Sequence, residues 1–172
     1  MITQLRTGPQ PVGSDFEVCY KAQWWPMVRL ATGLLGNRAA AEDAVQEAFT
    51  AVYRKWPGLA LISRVGYLRV SVVNATRTIQ RRQTTQRKHL RLVEERPAAG
   101  ADEGLVQQFE RDDLRHALSL LPQRQREVLV LRFISELPDS DIAQATGLSL
   151  GGVRSASSRG IAALRISMGE LR

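Results

Sequence analysis

The segment Asp139–Arg165, DSDIAQATGLSLGGVRSASSRGIAALR, decides the fold of this 172-residue chain. Ser140 or Asp139 can cap a short helix, DIAQAT, because a side-chain oxygen there accepts a bond from an otherwise unpaired amide. Gly147 ends that helix, since the tight turn demands a left-handed backbone that glycine adopts without a Cβ clash. Ser149 then caps a final helix. Ala143 is small where two helices must cross closely, Gly147 lies four residues on, and Val153 six beyond that. Ile142, Leu148 and Leu164 complete a shared core. This spacing is that of a helix-turn-helix, whose second helix projects its N-terminal residues outward. Arg154 and Arg159 on that helix can reach phosphates or base edges. The alternative is a helical hairpin that only packs. Gly151 and Gly152 each weaken a helix by roughly 1 kcal/mol relative to alanine, less near an N-terminus. Their missing side chains either let backbone approach DNA closely or merely fray the first turn.

Upstream of the motif the pattern stays helical. Leu114, Ala117, Leu118 and Leu121 form one stripe, Pro122 stands where a new helix can start, and Val128, Leu129 and Leu131 to Ile134 supply its apolar surface. In the N-terminal half, DFEVCYKAQWWPMVRLATGLLG has helical spacing, with Pro26 able to interrupt or restart the helix. Gly36 is a stop and Asn37 a cap for RAAAEDAVQEAFTAVYRKW. There Ala41, Ala44, Val45, Ala48, Phe49, Val52 and Tyr53 form the apolar stripe, and Glu42, Asp43, Gln46 and Glu47 fall on the other side. PGLALISR reads as a loop, followed by a long helix from Tyr67 to about Lys88.

Charge divides this half. Between Arg64 and Arg91 there are eight arginines or lysines and no acid. Asn74, Thr76 and Thr78 lie among them with Tyr67 near the start, so amide, hydroxyl and ring groups can read or stack on exposed bases while arginines hold the backbone. A DNA binder seldom presents acids toward phosphate, so the face of Glu42, Asp43, Gln46 and Glu47 suits a basic protein partner. Trp24, Trp25 and Trp56 are expected in the core or on the domain surface. The organisation predicted is all-α: a flexible arm over 1–14, a helical domain over 15–91, a linker over 92–104 in the acidic Ala/Gly/Pro-rich EERPAAGADEG region, and a second helical domain over 105–172.

Lysine and arginine outnumber acids by 24 to 17, giving a net charge of +7, which favours a polyanionic partner, nucleic acid before membrane. Cys19 is the only cysteine, so no intrachain disulfide forms and a reducing cytoplasmic setting is expected. No apolar run approaches the ~18–20 residues of a membrane span, and the N-terminal MITQLRTGPQPVGSD lacks a signal peptide's apolar core. His89 and His116, the only histidines, are not in metal-ligand spacing, and no phosphate-binding glycine loop precedes a lysine. Neither an enzyme nor a cofactor is expected.

Taken in order, AAAEDAVQEAFTAVYRKW, GYLRVSVVNATRTIQRR and LSLLPQRQREVLVLRF with DIAQATGLSLGGVRSASSRGIAALR resemble an extracytoplasmic-function (ECF) RNA polymerase sigma factor of the sigma-70 family, in the arginine-rich, tryptophan-bearing style of actinobacterial members. The likeness runs from about Phe16 to Arg165. It implies a bacterial transcription initiation factor built of sigma domains 2 and 4, with core RNA polymerase and promoter DNA as partners. Control by a separate anti-sigma factor is common in the family. Glu42, Asp43, Gln46 and Glu47 would then meet the clamp helices of the β′ subunit. The loop Pro57 to Arg64 and the helix beyond it, with Arg64, Tyr67, Arg69, Asn74, Arg77, Thr78, Arg81 and Arg82, would capture the non-template strand of the −10 element. Domain 4 would dock on the β flap tip and present Ser149, Gly151, Gly152, Arg154, Ser155, Ser158 and Arg159 to the −35 major groove.

The chain departs from the family pattern in places. Thr78 stands where an aspartate is common, and Gly152, Ala156, Ser157 and Ser158 replace larger residues, which implies fewer base-edge contacts and more backbone or shape readout. No long extension follows Arg172, so no built-in regulatory domain is expected. The competing function is a stand-alone helix-turn-helix regulator whose N-terminal domain dimerises and which binds a two-fold symmetric site.

Overall fold

Two glycines in the left-handed conformation turn the chain between helices, Gly36 at φ 71° and Gly147 at φ 72°. Around them a computed structural model describes residues 12–89 and 105–170. The expected linker over 92–104 lies outside the described residues, as does the expected arm over 1–14 as far as residue 11, whereas its last residues, Val12 to Ser14, belong to the first helix. The described residues form α1 (Val12–Leu35), α2 (Arg38–Lys55), α3 (Arg64–His89), α4 (Leu105–Leu120), α5 (Gln123–Phe133), α6 (Asp139–Thr146) and α7 (Leu150–Glu170), with no strand among them.

Local chemistry explains most boundaries. Asn37 caps α2 by accepting the Ala40 amide at 3.0 Å, as its type predicts. Pro26 neither interrupts nor restarts α1, which runs through it. The carbonyl it leaves unbonded belongs to Ala22, an exposed residue, so water can satisfy it. PGLALISR is a pair of single 3-10 turns, Trp56–Gly58 and Leu61–Ser63. At α6 the expected cap is corrected: Pro138 occupies the cap position and has no side-chain acceptor, while Asp139 is the first helical residue and pairs with Arg132 and Arg154.

One buried cluster takes residues from α1, α2 and α3 and also from α5, α6 and α7. Leu30, Leu34, Val45, Val52, Leu68, Val72, Val128, Leu131 and Ile142 are among its fully buried members. Gly33 permits the close approach of α1 to α5: a Cβ there would lie 2.7 Å from Ile134 Cδ1 and 3.0 Å from Val130 Cγ1. Leu118, Leu121 and Leu129 form a second cluster with Ile161 and Leu164 of α7. Tyr53, Leu114, Phe133 and Ile134, expected on apolar faces, are exposed.

Aromatic rings tie the start of α1 to α2. Phe16 meets Trp56 edge-on at 5.1 Å and Tyr53 at 4.8 Å, and Tyr20 meets Phe49 at 4.8 Å. Trp56 is buried, Trp24 is half-buried, and Trp25 is exposed beneath the Arg38 guanidinium. Half-burial raises the Cys19 thiol above its usual range, with Arg64 pulling weakly the other way. Iodoacetamide at pH 8 should therefore alkylate Cys19 more slowly in the folded chain than in urea, as followed by mass spectrometry. Because the buried Trp56 Nε1 has no acceptor, Trp56→Phe should cost far less in urea denaturation than Trp56→Ala, for which roughly 3–5 kcal/mol is expected.

Candidate nucleic-acid interface

The outer face of α2 divides its acids. Asp43, Gln46 and Glu47 are exposed on the side away from the core, whereas Glu42 is half-buried and accepts from Arg38 Nε at 2.9 Å. Three of the four residues expected to meet a basic partner therefore stand open, and the fourth is partly neutralised by its own helix.

Residues expected to meet single-stranded DNA fall into two groups. Asn74, Arg81 and Arg82 of α3 are exposed, with Thr78 half-buried between them. Thr78 Oγ1 donates to the Asn74 carbonyl at 3.1 Å and accepts from Arg81 Nη2 at 3.4 Å, which orders this strip. Just before α3, Leu61 and Ile62 are exposed apolar tips, Ile62 at 97%. Tyr67 is half-buried beside the Lys55 ammonium, 5.4 Å from its ring, a contact that raises Lys55 above its usual range.

The second group is committed inside the molecule, and Thr76, expected among the base-reading hydroxyls, is buried and donates to the Val73 carbonyl at 2.8 Å. Arg64 lies over the Trp56 ring at 4.2 Å, donates to the Leu59 carbonyl at 3.3 Å and faces Asp15 at 3.7 Å. Arg69 is half-buried, with its Nε enclosed and unpaired. Arg77 reaches across to α5, where its Nε and Nη2 donate to Glu127 Oε1 and Oε2, both at 2.7 Å. Glu127 is only 2% exposed and also accepts from Gln123 Nε2 at 2.9 Å. These bonds raise the Arg77 guanidinium above its usual range against the opposing effect of burial.

The helix-turn-helix forms as its spacing demands. Thr146 ends α6, Gly147 turns, and Ser149 Oγ accepts the Gly152 amide at 3.1 Å to start α7. Gly151, Arg154, Ser155, Ser158 and Arg159 share the outer face of α7 with Ser149, and Gly152 is half-buried. Nothing lies within 4 Å of where a Gly151 Cβ would stand, so its backbone is open to approach. Ala156 and Ser157 are buried, which revises the meaning of their small size. Ala156 fits α7 to the core, and Ser157, buried beside it, lines a groove with Arg154 and Ser158.

Sequence reasoning missed two arginines here. Arg132 of α5 and Arg165 of α7 line a groove of about 410 Å³ with Arg154, Ser157 and Ser158. Arg132 pairs with Asp139, which also sits 3.5 Å from Arg154 Nε, so one carboxylate at the start of α6 holds two guanidiniums in place. Arg154, Ser158 and Arg165 follow a spacing of four and seven residues, a helical stripe that was legible in the chain. Arg132 had no such signal, because it comes from another helix. No group of histidine, cysteine and carboxylates able to hold a metal occurs among the described residues. Nor does any described helix have the length and apolarity to cross a membrane.

An acid-faced helix, a basic helix and a helix-turn-helix on one shared core define a DNA-engaging transcription protein. The sequence pattern of Sigma-70, region 4 matches residues 111–164. The RNA polymerase sigma-E factor of Streptomyces antibioticus is 31% identical over 155 residues, 88% of this chain and 83% of that protein. The ECF RNA polymerase sigma factor SigE of Mycolicibacterium smegmatis is 30% identical over 92% of this chain and 63% of its own. In fold, the chain is similar to the sigma factor RpoE of Bartonella quintana, solved in complex with the anti-sigma factor NepR, with a TM-score of 0.76, 22% identity and coverage of 92% and 99%. The chain belongs to the extracytoplasmic-function RNA polymerase sigma factors. Membership supports promoter-directed transcription initiation over a stand-alone regulator with a dimerising N-terminal domain.

If the groove seats a DNA phosphate, Arg165→Ala should weaken duplex binding by the sigma–polymerase complex across all sequences and lower the slope of log K against log salt by about 1. Fluorescence anisotropy over a salt series measures both.

Proposed function

We propose that the chain gives core RNA polymerase its promoter choice through three separate surfaces. The division of charge carries the reading: open carboxylates on α2, open arginines and an asparagine on α3, and two arginines beside an uncovered backbone on α7. Asp43, Gln46 and Glu47 meet the clamp helices of the β′ subunit, where an acidic face finds a basic partner. Glu42 holds Arg38 and contributes less directly.

On α3, Asn74, Thr78, Arg81 and Arg82 meet the non-template strand of the −10 element. The uncovered Leu61 and Ile62 lie where unpaired bases can pack against them, so strand opening exposes a surface that apolar side chains favour. On α7, Arg154 and Arg159, with the backbone at Gly151, supply most of the −35 contact, and Ser149, Ser155 and Ser158 add short-range hydrogen bonds. Domains 2 and 4 correspond to 15–91 and 105–172, with 92–104 as the connection. The exposed Leu120, Ile166 and Met168 suit the flap tip of the β subunit. An anti-sigma factor binds the structural relative, and a partner of that class is proposed here also.

Exchange of Asp43 and Glu47 for lysine touches no internal contact, so circular dichroism and melting temperature should be those of the parent. The same double variant should lose co-purification with core polymerase, and retained binding would overturn the assigned interface. Arg154→Ala with Arg159→Ala should abolish −35-dependent transcription in a reconstituted assay with mapped start sites. The isolated protein should shift duplex promoters poorly without polymerase, whereas a stand-alone regulator would shift them tightly.

A further inference from the structure

Arg77 is the residue on which two uses of α3 collide. Its Nη2 donates to the Thr146 carbonyl at 3.1 Å as well as to Glu127, and its Nη1 reaches Asn74 Oδ1 at 3.4 Å. Arg124 Nη1 donates to the same Thr146 carbonyl at 2.6 Å. A side chain of α3 thus caps the C-terminus of α6, the first helix of the helix-turn-helix. The reverse contact also exists. Arg126 Nη1 of α5 donates to the Leu34 carbonyl at the end of α1 at 3.1 Å, and Gln80 Nε2 of α3 donates to it at 2.9 Å. Each helix group completes a terminus of the other.

The guanidinium that would neutralise a −10 phosphate is therefore consumed within the chain, and it holds Asn74 with it. The bond to Glu127 is a fork on a fork, which satisfies both partners in one orientation only. Glu127 is fully enclosed, so withdrawing Arg77 leaves a buried carboxylate with less compensation unless α5 also moves into water. Conversely, a phosphate cannot take the Nε–Nη2 edge while Glu127 occupies it.

We infer that Arg77 is a shared ligand: it clasps Glu127 when α5–α7 lie closed on α1–α3, and it turns to nucleic-acid phosphate only when the two groups separate. The proposal rests on the reading that α3 meets single-stranded DNA. The closed arrangement is then a self-made restraint on promoter engagement, in which ionic exchange at Arg77 works beside the apolar cluster the two helix groups share.

Three variants of the full chain separate the possibilities, each checked for helicity by circular dichroism. Glu127→Gln keeps the shape but leaves Arg77 without a counter-charge in the closed form alone. Gly33→Leu wedges α1 from α5 by sterics and leaves Arg77 and Glu127 both intact. Arg77→Ala removes the clasp and the phosphate ligand together. Small-angle X-ray scattering reads the separation, and anisotropy with a short fluorescent mixed-sequence DNA single strand reads the affinity. All three variants should expand. Glu127→Gln and Gly33→Leu should tighten DNA binding by about tenfold, the gain expected if about a tenth of the parent is open. Arg77→Ala should expand without tightening.

Unchanged dimensions in folded Glu127→Gln and Gly33→Leu would overturn the clasp. Expansion without tighter binding in those two would overturn the shared role, with parent binding intact. If Arg81→Ala with Arg82→Ala leaves strand binding of the parent unaltered, the α3 reading itself has failed and the proposal falls with it. Should Glu127→Gln not fold, Gly33→Leu decides the outcome.

Discussion

The arrangement of this protein depends on how one buried carboxylate is compensated. Glu127 stands at the meeting of α3, α5 and the helix-turn-helix, with Arg77, Gln123 and Arg124 around it. A charge enclosed this far from water is tolerated only when its lone pairs are filled. Filling them fixes the rotation of α3 against α5 more sharply than apolar packing would, since valines and leucines accept several registers and a forked ion pair accepts one. The neighbouring Arg126 shows the cost of the same enclosure. Burial lowers its guanidinium below the usual range, and the Glu127 charge offsets part of that.

The exposed charge obeys a different rule. Surface carboxylates and guanidiniums contribute little to folding, so their placement is free to answer to partners. On α2 the acids collect on one side. On α3 the arginines occupy a helix without acids in its described length. At the start of α6 a single carboxylate, Asp139, holds Arg132 of α5 and Arg154 of α7 in place at the edge of the motif. These surfaces lie on different helices, and their common core positions them without crowding any one of them.

Much of the architecture was legible in the chain. The turn at Gly147, the caps at Asn37 and Ser149 and the stripe on α2 follow from local rules, because helix ends and amphipathic faces are set by residues within a turn or two. What was not legible is long-range. Nothing in the spacing of Arg77 and Glu127, fifty residues apart, marks them as partners. The same holds for Arg132 and its place in the α7 groove. Pro26 misleads locally for a related reason, since hydration of an exposed turn tolerates what the residue type forbids. Composition marked the arginines of α3 as a set, but only packing divides them into Arg64 and Arg77, turned inward, and Arg81 and Arg82, left outside.

The burial of Ala156 and Ser157 has a wider meaning for the last helix. The residues that hold α7 in place and those that face outward are separate: Val153, Ala156 and Gly160 look in, while Gly151, Arg154, Ser155, Ser158 and Arg159 look out. The outward set is short and uncrowded, so it constrains its own substitution very little. Such a helix is a blank page on a fixed binding: its outward residues can be rewritten one at a time while the fold beneath them stays the same.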